Sequence, residues 1–130
     1  RDHTGGTEFE IENIETLPRV DIVHAYAGGD GALALAAIAA GARGIVSAGF
    51  APGETHEPEA AVLRQAAANG TVVVQSTRAG TGRVPPTSRL ATNGFVSADD
   101  LTPQKARILL ALALTQTSDP YRIDQMFRRY

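Results

Sequence analysis

The sequence has no cysteine, which removes disulfides, thiolate metal sites and cysteine nucleophiles together and leaves the redox compartment open. Aromatic residues are only 5% of the chain, too few for a stacking platform of the kind that binds single-stranded nucleic acid. Excess charge is missing as well. Twelve basic residues stand against fourteen acidic ones, for a formal net charge of -2, so no electrostatic footprint for a polyanion exists. Long hydrophobic runs are also absent. The longest, residues 32–40, is rich in alanine and much too short to span a bilayer, and no signal peptide opens the chain. These absences predict a soluble protein with neither a membrane nor a nucleic-acid partner.

What is present fits one globular domain: 130 residues, 43% of them hydrophobic, are enough to bury a single core. Residues 1–18 are polar and charged and read as a connector closed by Pro18. Val20 to Tyr26 has the β-branched content of a strand, which Gly28-Gly29-Asp30-Gly31 breaks. An alanine-rich helix over 32–40 ends at Gly41, the natural left-handed cap. Gly44 to Gly49 is a short apolar run of the kind found in a parallel strand covered on both faces. A loop over 50–57 leads to a helix that begins near Pro58 and stops at Asn69-Gly70. Thr71 to Ser76 is the clearest strand, followed by a Gly/Pro/Thr-rich loop over 77–92 and a weak strand at Phe95-Val96-Ser97. Thr102-Pro103 and Asp119-Pro120 are helix starts, with the cap residue followed by proline at the first helical position. The first of these helices should reach about Thr115 with Ile108, Leu109, Leu112 and Ala113 facing inward; the second carries Ile123, Met126 and Phe127.

Strands alternating with helices at this spacing predict an α/β fold, an open and mainly parallel sheet of about four strands flanked by helices in flavodoxin-like layers. Ligands of such sheets collect at loops beyond the carboxyl ends of the strands, here 27–31, 49–57 and 77–92. The first is not a dinucleotide fingerprint, because positions 28, 30 and 33 hold Gly, Asp and Leu and an aspartate at the helix start repels a pyrophosphate. A turn with an Asp30 cap is expected instead. His3, His24 and His56 are dispersed, and none pairs with another at helical ligand spacing. His24 reads as a structural strand histidine; His56, between Glu54 and Glu57, leaves a metal or proton role open. Arg122, Arg128 and Arg129 read as a solvated helix face beside Asp119 and Asp124.

Five blocks carry a resemblance: LPRVDIVHAY, GARGIVSAGF, VVVQSTRAGTGRVPP, LTPQKARILLALALTQTSDP and the terminal FRRY. In order and with nearly constant spacing, from about residue 8 to Tyr130, they resemble the C-terminal domain of bacterial type II L-asparaginases and glutaminase-asparaginases. The resemblance implies residues 1–18 as interdomain connector and residues 19–130 as the C-terminal α/β domain. It also implies a parent amidohydrolase that turns L-asparagine, or L-glutamine, into the acid and ammonia through a threonine acyl-enzyme, without a cofactor. Implied partners are the chain's own N-terminal domain and further copies, in a homodimer or homotetramer. The type II likeness suggests export to the periplasm or medium, while nothing in the residues themselves decides between that and the cytoplasm. TGGT at residues 4–7 is the tetrapeptide that bears the nucleophile in that family. There, however, it lies in the N-terminal domain, together with a second threonine, an aspartate and a lysine. A nucleophile must be held still against its base, whereas only Arg1, Asp2 and His3 precede Thr4. Thr4 and Thr7 therefore fall in the connector, and no catalytic residue is expected in this chain.

The resemblance implies that this domain lines the neighbouring subunit's site through two elements. One is a G-x-G-x-G-N/S loop, here Gly49-Phe50-Ala51-Pro52-Gly53-Glu54; Gly49 and Gly53 match, but Ala51 replaces a glycine and Glu54 replaces Asn/Ser. The other is a glutamate after the R-x-x-x-G-x-V-P-P segment that binds the substrate ammonium, where a gapless alignment puts Arg89. An ammonium facing an unpaired guanidinium at about 4 Å is disfavoured by several kcal/mol at intermediate dielectric. The acidic partner is thus expected to have moved to Glu54, with Arg89 turned outward or paired to it. The bland alternative makes both residues solvated loop variants. Arg78 in the shared S-T-R block is expected to tie down loop carbonyls, and Tyr26 to pack at a subunit or domain boundary. Two competing readings keep the fold: a catalytically silent amino-acid-binding or interaction domain, and an amidotransferase subunit acting on tRNA-linked amino acids, which the acidic charge balance opposes.

Overall fold

The computed structural model describes residues 3–130; Arg1 and Asp2, expected at a solvated chain end, lie outside the described residues. Four parallel strands, β1 (Val20–His24), β2 (Gly44–Gly49), β3 (Val72–Thr77) and β4 (Phe95–Ser97), lie side by side in the order β1-β2-β3-β4. Helix α1 (Ala32–Ala39) joins the first pair, α2 (Glu57–Ala68) the second and α3 (Ser88–Asn93) the third, with α4 (Pro103–Ala113) and α5 (Pro120–Arg129) after the sheet. Every crossover steps one strand in the same direction. Right-handed connections therefore put α1, α2 and α3 on one face of the sheet, and α4 and α5 cover the other.

The side-chain alternation of the strands divides the core accordingly. Val20, Val46, Val72, Val74 and Val96 pack with Leu109, Leu110, Ile123 and Phe127 beneath α4 and α5. Val23, Ile45, Val73 and Phe95 pack with Ala34, Leu63 and Leu90 beneath α1 to α3. All six residues of β2 and of β3 are buried, as covering both faces requires. Gly44 allows the close approach of α4, since a Cβ there would meet Leu110 Cδ2 at 2.7 Å. Capping follows the sequence signals. Thr102 Oγ1 accepts from the Lys105 N–H and Asp119 Oδ1 from the Tyr121 N–H; Asp30 Oδ1 accepts from the Ala32 N–H at 2.9 Å; and Gly41 is left-handed.

Three expectations need correction. The segment 77–92 is not all loop: α3 starts inside it, because Thr87 Oγ1 accepts from the Leu90 N–H and Leu90 finds a buried seat. On α4 the inward stripe is Ala106, Leu109, Leu110 and Ala113, while Ile108 is half exposed and Leu112 partly buried; a rotation of one residue separates the two readings. His24, expected among apolar neighbours, points to solvent at the end of edge strand β1. The segment before β1 is anchored through Phe9, whose ring lies 5.7 Å from that of Tyr130, and through Glu8, which accepts from the Tyr130 hydroxyl and lies 3.6 Å from Arg129. Among the described residues no helix is long and apolar enough to cross a membrane.

Candidate functional site

The loop after β2 is a tight turn built on itself. Phe50 N–H donates to the Glu54 carbonyl and Glu54 N–H to the Phe50 carbonyl, each at 2.7 Å, while Gly53 N–H reaches the same Phe50 oxygen at 2.5 Å. Two glycines are required by this closeness. A Cβ on Gly49 would collide with the Glu54 carbonyl and lie 2.8 Å from Gln75 Nε2; one on Gly53, where φ is +109°, would meet Val84 Cγ1 at 2.7 Å. Glu54 is thereby held at the carboxyl rim of the sheet.

Arg89 reaches the same point from α3. Its Nη1 and Nη2 donate to Glu54 Oε2 and Oε1 at 2.5 and 2.6 Å, a bidentate pair. These hydrogen bonds hold the Glu54 carboxyl below the usual carboxylate range, opposed by partial desolvation and aided by the guanidinium charge. The side chains remain 48% and 56% exposed, so the pair contributes little to folding, about 0–1 kcal/mol. Paired in this way, the two charges cancel locally at the rim.

Arg78 follows β3 and bridges the other loops. Its Nη1 donates to the Ala25 carbonyl at 3.0 Å, and its guanidinium lies 4.5 Å from the Phe50 ring centroid. Phe50 in turn meets His56 edge-on at 5.1 Å. Arg78 thus links the ends of β1 and β2 from the end of β3. Tyr26, next to Ala25, is 48% exposed. Gly49, Gly53, Glu54, Arg78 and Arg89 converge on one edge of the sheet, with Tyr26 farther along it. Thr7 belongs elsewhere: it accepts from the Phe9 N–H and lines an apolar hollow of about 620 Å³ against α4 with Phe9, Leu109 and Tyr130. Among the described residues no group of three or more His, Asp or Glu could hold a metal ion, and His56 serves as an aromatic partner of Phe50.

Two features escaped the sequence reading. Beneath the loop, Ser47, Thr55 and Gln75 are joined by hydrogen bonds; the signal was a glutamine following three valines in a strand buried along its whole length, since a buried amide must find partners. Glu59, in the first turn of α2, is 3% exposed, and its Oε1 has no partner. Burial raises its carboxyl above the ordinary range.

Residues 19–127 match the glutaminase/asparaginase C-terminal domain family. The chain is 42% identical to L-asparaginase 2 of Bacillus subtilis over 130 residues, covering 100% of this chain and 35% of that protein. It is 44% identical to L-asparaginase 2 of Escherichia coli over 132 residues, covering 100% of this chain and 38% of the relative. A crystal structure of a probable cytoplasmic L-asparaginase from Campylobacter jejuni superposes with a TM-score of 0.94 at 42% identity, over 99% of this chain and 42% of that one. The chain therefore spans well under half the length of these relatives.

Proposed function

This chain belongs to the glutaminase/asparaginase C-terminal domain family, and we propose that it completes an amidohydrolase acting on L-asparagine, and on L-glutamine, with release of ammonia. Residues 1–18 connect it to a larger N-terminal domain that supplies the threonine nucleophile, and Gly53, Glu54 and Arg89 line the site of a neighbouring subunit in a homodimer or homotetramer. The sequential strand order supports a site completed from outside. A strand order that never reverses has no switch-point crevice of its own, so a ligand at this rim needs a second surface.

The single observation that carries the reading is the Glu54–Arg89 pair on the loop where the family's polar substrate contact falls. Glu54 accepts a hydrogen bond from the substrate α-ammonium, and Arg89 keeps the carboxylate ionised and aimed. The positive charge of Arg89 is cancelled by this pairing, so the ammonium meets no net repulsion. Arg78 holds the neighbouring loops, and half-exposed Tyr26 packs at a subunit or domain boundary.

Ammonia release from L-asparagine and L-glutamine is compared for this chain and for the protein extended through its N-terminal domain, with activity expected only in the extended form. Glu54→Gln in that form removes a charge-assisted hydrogen bond of about 1.5–3 kcal/mol, which raises KM for asparagine roughly 10- to 100-fold. An unchanged KM removes Glu54 from the substrate, and silence of the extended protein favours the binding-domain reading.

A further inference from the structure

The buried polar group beneath the Glu54 loop is arranged as a closed ring. Ser47 and Gln75 are register partners on β2 and β3, on the face covered by α1 to α3. Ser47 is 0% and Gln75 2% exposed. Thr55 Oγ1 donates to Gln75 Oε1 at 3.3 Å, which uses its one proton, so the 3.0 Å contact between Ser47 Oγ and Thr55 Oγ1 has serine as donor. Gln75 Nε2 reaches Ser47 Oγ at 3.3 Å through a shared proton, because its two protons also serve the closer Ser47 and Ser76 carbonyls. The Thr55 hydroxyl thus gives one hydrogen bond, to Gln75, and takes one, from Ser47.

The ring cannot reverse. Gln75 Nε2 also donates to the Ser47 carbonyl at 3.0 Å and to the Ser76 carbonyl at 3.1 Å. Turning the amide over would set its oxygen against two backbone acceptors. The backbone of β2 and β3 thus dictates where Oε1 points, Oε1 dictates the seat of Thr55, and Thr55 directly follows Glu54. On its other side the loop rests on Gly49, with Gln75 Nε2 at 2.8 Å from the position of a Cβ. Thr55 is thus a side-chain tether of the loop to the sheet, and the Thr77 hydroxyl, donating to the Gly49 carbonyl at 3.4 Å, holds only the base of the loop.

We propose that Gln75, through Ser47 and Thr55, is a positioning residue that fixes the Glu54 carboxylate for substrate binding. This rests on the amidohydrolase reading above, in which Glu54 meets the substrate ammonium. The tether acts on binding geometry and leaves the acyl-transfer chemistry, supplied elsewhere, unchanged.

The test uses the full-length protein with Thr55→Val, which keeps the side-chain volume and deletes the hydroxyl, and Thr55→Ser, which restores it. Hydrogen exchange of the Phe50 and Glu54 amides and the kcat/KM split are read side by side. Loss of one net hydrogen bond predicts about tenfold faster exchange and about tenfold higher KM for asparagine in Thr55→Val, with kcat within about twofold, and recovery of both in Thr55→Ser. Unchanged exchange overturns the tether. Faster exchange with unchanged KM overturns the positioning role. If the wild-type protein releases no ammonia, the amidohydrolase reading has failed and the positioning role falls with it, while exchange alone still decides whether the ring holds the loop.

Discussion

Replacing Glu59 with methionine should stabilise the chain, and by more at pH 8 than at pH 5. Glu59 is 3% exposed and Oε1 has no partner; a buried acceptor left unsatisfied costs about 1–3 kcal/mol. Its place in the first turn of α2 returns about 0.3–1 kcal/mol through the helix N-terminus. Methionine is close in length and flexible enough to occupy the same space, so the net gain near neutral pH is about 1–2 kcal/mol. Burial raises the folded carboxyl above its ordinary 4.5. Below that value both states are protonated and the penalty is absent. As pH rises, the unfolded carboxyl ionises first, and wild-type stability falls until the folded one ionises too. Urea or thermal unfolding at the two pH values reads the effect, with a Tm gain of roughly 3–10 °C at pH 8 and a smaller one at pH 5. Equal gains at both pH values would mean that the carboxyl carries no ionisation penalty, and a loss at both would mean that it is satisfied in solution.

Two further substitutions probe the frame of the site. Gly53→Ala places a Cβ at φ +109° and 2.7 Å from Val84 Cγ1; the left-handed backbone alone costs about 1–2 kcal/mol, so unfolding should shift by at least that much, and a neutral result would show that the loop relaxes freely. Phe127→Ala removes a ring that is 1% exposed between α5 and the sheet and should destabilise by about 3–5 kcal/mol in urea unfolding, with a value below about 1 kcal/mol arguing against the packing of α5 on β4.

Strand and helix order were legible in the sequence because the signals were local. Val72-Val73-Val74 between turn residues, Thr102-Pro103 and Asp119-Pro120 each specify their element within a few residues. The short helix α3 was less so. Thr87 caps it and Gly94 closes it with φ 74°, but Gly80, Gly82, Pro85 and Pro86 immediately upstream mask a six-residue helix as loop. The stripe of α4 failed for a different reason: a run as apolar as Ile108 to Leu114 has no polar side, and only the position of the sheet decides which residues are inward. Glu59 and the Ser47–Thr55–Gln75 ring depend on contacts between segments, as the 28-residue separation of Gln75 from Ser47 illustrates.

The pair at the rim shows why site residues were the hardest part to read singly. Glu54 lies on the loop after β2 and Arg89 on α3, 35 residues apart. Taken alone, the first adds a negative charge where the family has a neutral side chain, and the second puts a positive charge where it has an acid. The second alone argues against binding an ammonium, whereas the first alone offers it a carboxylate. Joined by two hydrogen bonds, they form a carboxylate held below its usual range by a neighbour, which under the proposed function takes the place of the acid on the other element. Removing either partner leaves the other as an uncompensated charge beside the ammonium or carboxylate of an amino acid. Arg89→Gln should therefore leave Glu54 able to bind the ammonium but less fixed, whereas Glu54→Gln exposes an unpaired guanidinium to it. In steady-state kinetics of the full-length protein the second variant should raise KM for asparagine more than the first, and the reverse order would assign the substrate contact to Arg89.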